Sequence, residues 1–259
     1  MPPVAAAVLP HPPLLVPELA GGAAAELDPL RAACRHALAA VVAAADLVVV
    51  VGDGPVWGVP EPSAPGSFRP YGADLEVSLP PPAGLAGTPS LAELDLPGLP
   101  APARLPGLPL SLAVAAALLA GLDRPPGRLL AVTVPASLGP GAAAAVGRAL
   151  TGGGADRAER VGLVVMGDLS ACRTEGAPGA LRAEAAGFDA SVGEALRTGK
   201  PARLLDLDPA LAADLLVAGR VPLQVLAGAF EDGPPMRGEI LYEAAPYGVG
   251  YLVALLTPL

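Results

Sequence analysis

Leu47-Val48-Val49-Val50-Val51-Gly52-Asp53-Gly54 is a run of five apolar residues, four of them β-branched, that ends abruptly in Gly-Asp-Gly. A short, continuous apolar run closed by turn residues is the signature of a strand covered on both faces, as in a parallel sheet. Val4 to Leu9, Leu129 to Val134 and Val161 to Met166 read the same way. Between the first two strands Leu27, Leu30, Cys34, Leu38, Val41 and Ala45 recur at helical spacing, with Asp28-Pro29 as an expected N-cap and first-turn proline. A β-α-β unit with its two strands paired in parallel follows.

Outward from this unit, helices are predicted over Leu110 to Leu122, Gly141 to Leu150 and Ala180 to Thr198, with two shorter ones inside Pro209 to Phe230. Asp208 before Pro209 reads as an N-cap. Strands at Glu239 to Glu243 and Gly248 to Leu256 close the chain. The expected fold class is α/β, a central mostly parallel or mixed sheet flanked by helices, in a single domain over residues 1–259.

The segment from Gly54 to Pro109 breaks the pattern. It holds 14 of the 33 prolines, and only Asp74 to Leu79 reads as a strand. A Pro-stiffened surface excursion is one reading, and a lid over a cleft anchored by Trp57, Phe68 and Tyr71 is the other.

Composition excludes several functions. Two histidines and two cysteines leave no room for histidine-rich or thiolate-cluster chemistry. The net charge of -9 and the scattered arginines give no basic stripe for nucleic acid. No positive charge precedes the first apolar run, and no apolar stretch reaches membrane length unbroken, so a cytoplasmic protein with reduced thiols is expected.

Three polar residues share one position, the carboxyl end of a predicted strand. They are His11 in Leu9-Pro10-His11-Pro12-Pro13, Asp53 after Val51-Gly52, and Asp168 after Met166-Gly167. In open α/β sheets the ligand crevice lies outside these ends. The flanking prolines hold His11 in extended backbone. Either aspartate could instead cap a turn through its own carboxylate. His36, beside Arg35 and off the apolar helix face, reads as solvated.

These motifs, with Gly167-Asp168-Leu169-Ser170-Ala171 and Pro246-Tyr247-Gly248-Val249-Gly250-Tyr251, resemble the class III extradiol dioxygenase B-subunit superfamily, which is LigB-type and Memo-like. The resemblance implies that fold over nearly the whole chain. It also implies a strand-end pocket around His11, Asp53, Gly54, Asp168, Ser170 and Ala171. In catechol-cleaving members a first metal histidine maps onto His11, a second onto the position of Gly54, and the catalytic histidine onto the position of Ala171. A carboxylate ligand near the C-terminus maps onto Glu239 or Glu243. The expected metal set is therefore His11, Asp53 and Glu239 or Glu243, with Fe(II) or another divalent metal as the implied cofactor. One imidazole falls short of the usual two imidazoles and a carboxylate.

Three functions follow as expectations. One is a dioxygenase-like protein with a degraded site that binds a small molecule or a protein partner. A second is a metal-dependent oxidoreductase or hydrolase with altered ligands. The third is an interaction subunit, homo-oligomers included, that docks through the Pro-rich segment.

Overall fold

The computed structural model describes residues 2–80, 99–152, 159–231 and 233–259. Among them, eight strands form one mixed sheet. In chain order they are β1 (Ala5–Leu9), β2 (Leu47–Asp53), β3 (Gly58–Pro60), β6 (Ala103–Leu105), β7 (Leu129–Val134), β8 (Val161–Met166), β9 (Met236–Ala244) and β10 (Tyr251–Pro258). Two further strands, β4 (Gly66–Ser67) and β5 (Glu76–Val77), form a separate antiparallel pair. The order across the large sheet is β6-β3-β7-β2-β8-β1-β10-β9.

The four central strands β7, β2, β8 and β1 run parallel. β1, β2 and β7 are almost wholly buried, as their unbroken apolar runs require. The helices are α1 (Pro17–Ala20), α2 (Asp28–Ala44), α3 (Leu110–Ala120), α4 (Pro140–Gly152), α5 (Ala185–Arg197), α6 (Pro209–Asp214) and α7 (Arg220–Ala229). One face of the sheet, carrying Ala7, Leu9, Val48, Val50 and Met166, packs on α2 and α3. The opposite face, carrying Val8, Val49, Val51 and Val165, packs on α4 to α7. The class is thus α/β, three layers deep.

The expected β1-β2 pair is corrected by the sheet order. β8 stands between the two strands and pairs in parallel with both, Val8 facing Val165 and Val51 facing Val165 from the other side. The connection through α2 skips one strand position, and the later chain fills it.

The cap readings divide. Asp208 accepts the N–H of Leu211 at 2.7 Å and caps α6. Asp28 does not cap α2: it is itself helical, and its carboxylate takes Arg31 Nη1 at 3.1 Å. α5 begins at Ala185 rather than Ala180, whose positive φ of 57° sets it in a turn. The Pro-rich excursion is structured where it is described. β3 and β6 extend the sheet past β7, and the β4–β5 pair rests on α3. Trp57 and Phe68 are buried, whereas Tyr71 is exposed among the described residues. Residues 81–98 of that excursion lie outside the described residues.

Candidate functional site

Position follows from the sheet order. Adjacent strands lie about 4.8 Å apart, so β1 and β2 are two spacings apart with the end of β8 between them. Asp168 is thereby set between His11 and Asp53. The N–H of His11 donates to Asp168 Oδ1 at 2.8 Å, and the His11 imidazole places Nε2 3.2 Å from Asp53 Oδ1.

Each member is held by its surroundings. The N–H of Gly167 donates to the carbonyl of Leu9 at 2.8 Å, locking the end of β8 to that of β1. Gly167 must be glycine because a Cβ there would sit 2.6 Å from Gly219 Cα. On β2, Ser111 Oγ at the start of α3 donates to the carbonyl of Asp53 at 2.7 Å. Thr133 Oγ1 on β7 donates to the carbonyl of Val56 at 2.8 Å and pins the following turn. Beyond His11, the buried Arg31 gathers the carbonyls of Leu14, Leu15 and Ala24 with one guanidinium.

The electrostatics differ between the carboxylates. Asp53 leaves about a third of its side chain exposed, whereas His11 is 4% exposed. Asp168 keeps some residue surface, but its carboxyl group is enclosed by protein. Desolvation pushes its pKa up, against the lowering influence of His11 and its N–H, and Asp53 adds repulsion. The charge of Asp168 is felt by Cys34 and Tyr251, both buried. Burial drives the Cys34 thiol up to about 12 and raises the Tyr251 phenol, with Asp168 adding to each.

The pair has unspent hydrogen-bonding capacity. His11 Nδ1 and Asp53 Oδ1 are both buried without a hydrogen-bond partner among the described residues. The 3.2 Å approach of Nε2 to Oδ1 is an ion-pair contact lying off the line of a good hydrogen bond. A buried polar atom without a partner costs about 1–3 kcal/mol.

The other sequence-predicted positions fall elsewhere. Ser170 is fully buried: its N–H donates to Asp189 Oδ1 at 2.9 Å, and its hydroxyl donates to the Leu215 carbonyl at 3.3 Å and accepts the Cys172 N–H at 3.1 Å. Those bonds make it part of a loop clamp, not of a cleft wall. Ala171 is buried beside it, its N–H given to Leu215 and its carbonyl accepting from Gly179. Arg173 Nη1 meets the buried Asp189 at 2.7 Å and completes the clamp.

Glu239 and Glu243 are corrected as partners of His11. Both lie on β9, the sheet edge, with β10 between them and β1. A register shift beside Val253 and Ala254 lets Glu243 pair with Leu252 and Glu239 with Leu255, so they face opposite sides of the sheet. Glu243 is engaged by Arg197 Nη2 at 2.8 Å. His36 is exposed on α2.

The residues present do not fit the two-imidazole iron site implied by the resemblance. At Gly54 a Cβ would lie 2.7 Å from Thr133 Cβ, so the space that a second histidine would enter is already filled. Among the described residues no three His, Cys, Asp or Glu side chains converge as a ligand set. Ser111 and Thr133, which shape the Asp53 turn, carry no sequence signal beyond being polar in apolar runs.

No protein-family model and no curated protein matches this chain. Among solved structures, the crystal structure of the uncharacterized protein JW3007 from Escherichia coli K12 is similar, with a TM-score of 0.60 and 18% identity, over 98% of this chain and 99% of that one. At that identity the likeness shows a shared fold. Among the described residues, no helix is long and apolar enough to cross a membrane.

Proposed function

We propose that this chain is a relative of the class III extradiol dioxygenase B subunits, LigB/Memo-like in fold, whose strand-end cleft binds a small polar molecule in place of a catalytic iron centre. The observation that carries the reading is the buried His11 imidazole against the half-open Asp53 carboxylate. Asp53 Oδ1 faces His11 Nε2 at 3.2 Å, and the rest of its side chain stays about a third exposed at the crevice end of a parallel sheet. An imidazole can accept or donate a hydrogen bond and a carboxylate accepts them, which suits a ligand bearing hydroxyl or amine groups.

The filled space at Gly54 and the alanine at position 171 support binding over ring cleavage. They are the two places where the resemblance would put histidines.

The test uses catechol as the probe, because the resemblance implies that substrate class. Calorimetric titration of the full chain is expected to show saturable catechol binding that His11→Ala abolishes and Asp53→Asn weakens. Incubation with Fe(II) without oxygen, followed by desalting, is expected to leave no stoichiometric iron and no oxygen uptake with catechol. One iron per chain, lost in His11→Ala, would overturn the reading.

A further inference from the structure

A separate cleft of about 190 Å³ lies on the α2 and α3 side of the sheet. Its walls are Leu15, Val16 and Pro17 from the turn after His11, and Val114 and Leu118 from α3. Its charged lining is Arg31 and Arg35, one helical turn apart on α2, and among the described residues no Asp or Glu lines it.

The two arginines are not equivalent. Arg31 is buried and committed, donating to the carbonyls of Leu14, Leu15 and Ala24 and to Asp28. It builds the wall and holds it rigid, so the cleft exists before any ligand arrives. Arg35 is exposed at the rim and has no hydrogen bond or ion pair among the described residues, in a chain with net charge -9. An apolar floor with one free cation at its edge is complementary to a molecule with an apolar tail and a single anionic head.

We propose that this cleft binds a small monocarboxylate with a short apolar tail, its carboxylate paired with Arg35 and its tail between α2, α3 and the Leu15–Pro17 turn. Size sets the tail. An apolar cavity of about 150 Å³ holds benzene, so by proportion this cleft takes about eight non-hydrogen atoms. Hexanoate has that size. A cation would meet the repulsion of two arginines, and a neutral alcohol would leave Arg35 unused.

Calorimetric titration of the full chain with sodium hexanoate, and separately with 1-hexanol, tests the proposal. The expected result is one saturable hexanoate site and binding of 1-hexanol at least ~10-fold weaker, the margin of a charge-assisted hydrogen bond. Arg35→Met, a change at an exposed position, is expected to bring hexanoate down to the level of hexanol. Ala117→Leu, which fills the cleft from α3, is expected to abolish both. His11→Ala is expected to leave hexanoate binding unchanged, which separates this site from the strand-end cleft. Absence of saturable hexanoate binding, equal affinity for the two probes, or an unchanged Arg35→Met would each overturn the proposal. Loss of hexanoate binding in His11→Ala would overturn it too, by moving the ligand to the other site.

Discussion

Asp168 Oδ1 accepts the backbone N–H of His11 at 2.8 Å, so this carboxylate serves another strand's main chain before it serves any ligand. Desolvation raises its pKa in the folded protein. A carboxyl raised above its unfolded value favours the fold while protonated, and that contribution is lost as pH rises through the folded pKa. Asp168→Asn keeps an acceptor for His11 without the charge. Its thermal midpoint is expected to exceed that of the parent at pH 8, the gap narrowing as pH falls toward the ordinary carboxylate range. Asp168→Ala, lacking the acceptor, is expected to lose about 1–3 kcal/mol. Parallel melting curves from pH 4 to 8 read both effects, and a gap that widens toward low pH would contradict this account.

Gly54 is closed to side chains by Thr133. Gly54→Ala is expected to cost about 1–3 kcal/mol by overpacking. Gly54→His is expected to gain no affinity for Fe(II), because the imidazole has no room to turn inward. Urea denaturation of Gly54→Ala, Thr133→Gly and the double variant should show a combined loss smaller than the sum of the two. A strictly additive pair would mean that the two residues do not share the space.

The clamp between Arg173 and Asp189 has a pH signature. Burial raises Asp189, while the Ser170 N–H and Arg173 hold it down. Arg173→Met removes the cation and leaves the carboxylate with one N–H donor. Because Arg173 is about a third exposed, the loss is set at about 1–2 kcal/mol at pH 7. It should shrink as pH falls and Asp189 takes up a proton. Urea midpoints at pH 7 and pH 4.5 compare the two cases, and an equal loss at both would remove the electrostatic explanation.

Both cysteines are buried and neither is in a disulfide. Cys34 in particular, raised to about 12 by burial, is uncharged at neutral pH. Native protein at pH 8 is expected to leave Ellman's reagent almost unreacted for as long as it stays folded. Two thiols per chain should appear in guanidinium. Rapid native labelling at Cys34 would show that α2 opens easily.

The α4–α7 contact tests packing apart from any charge. A Cβ on Gly147 would come within 2.7 Å of Ala229 N, backbone against helix. Gly147→Ala is expected to lose about 1–3 kcal/mol, although alanine is the better helix former in isolation. A stabilised variant in thermal melting would show that the two helices can part without cost.

The parts of the fold legible in the sequence are those where local pattern and burial agree. The apolar runs of β1, β2, β7 and β8 and the spacing of α2 need no tertiary information. β3 and β6 were not legible, because three-residue strands beside prolines carry no period of their own; β3 exists by pairing with β7, and β6 by pairing with β3. The neighbours of β1 were hidden too, since no local residue in β1 or β2 says that Val161 to Met166 will stand between them. At the site, strand-end position placed His11, Asp53 and Asp168 side by side, but it could not tell Asp168's backbone bond from a ligand contact. Glu243 was misplaced because its Arg197 partner comes from a helix 46 residues earlier in the chain.

β8 separates β1 from β2, and its first residue follows the last of β2 by more than a hundred positions. During synthesis the first two strands therefore emerge with their inner edges bare, each waiting for one partner not yet made. Long-range pairing of this kind is slow, and bare apolar edges invite association with other chains. The His11–Asp53 pair forms only when the second half of the chain arrives. A truncated product ending before Val161 would thus carry both residues, no site between them, and three open strand edges, both of β1 and one of β2, for a chaperone to cover.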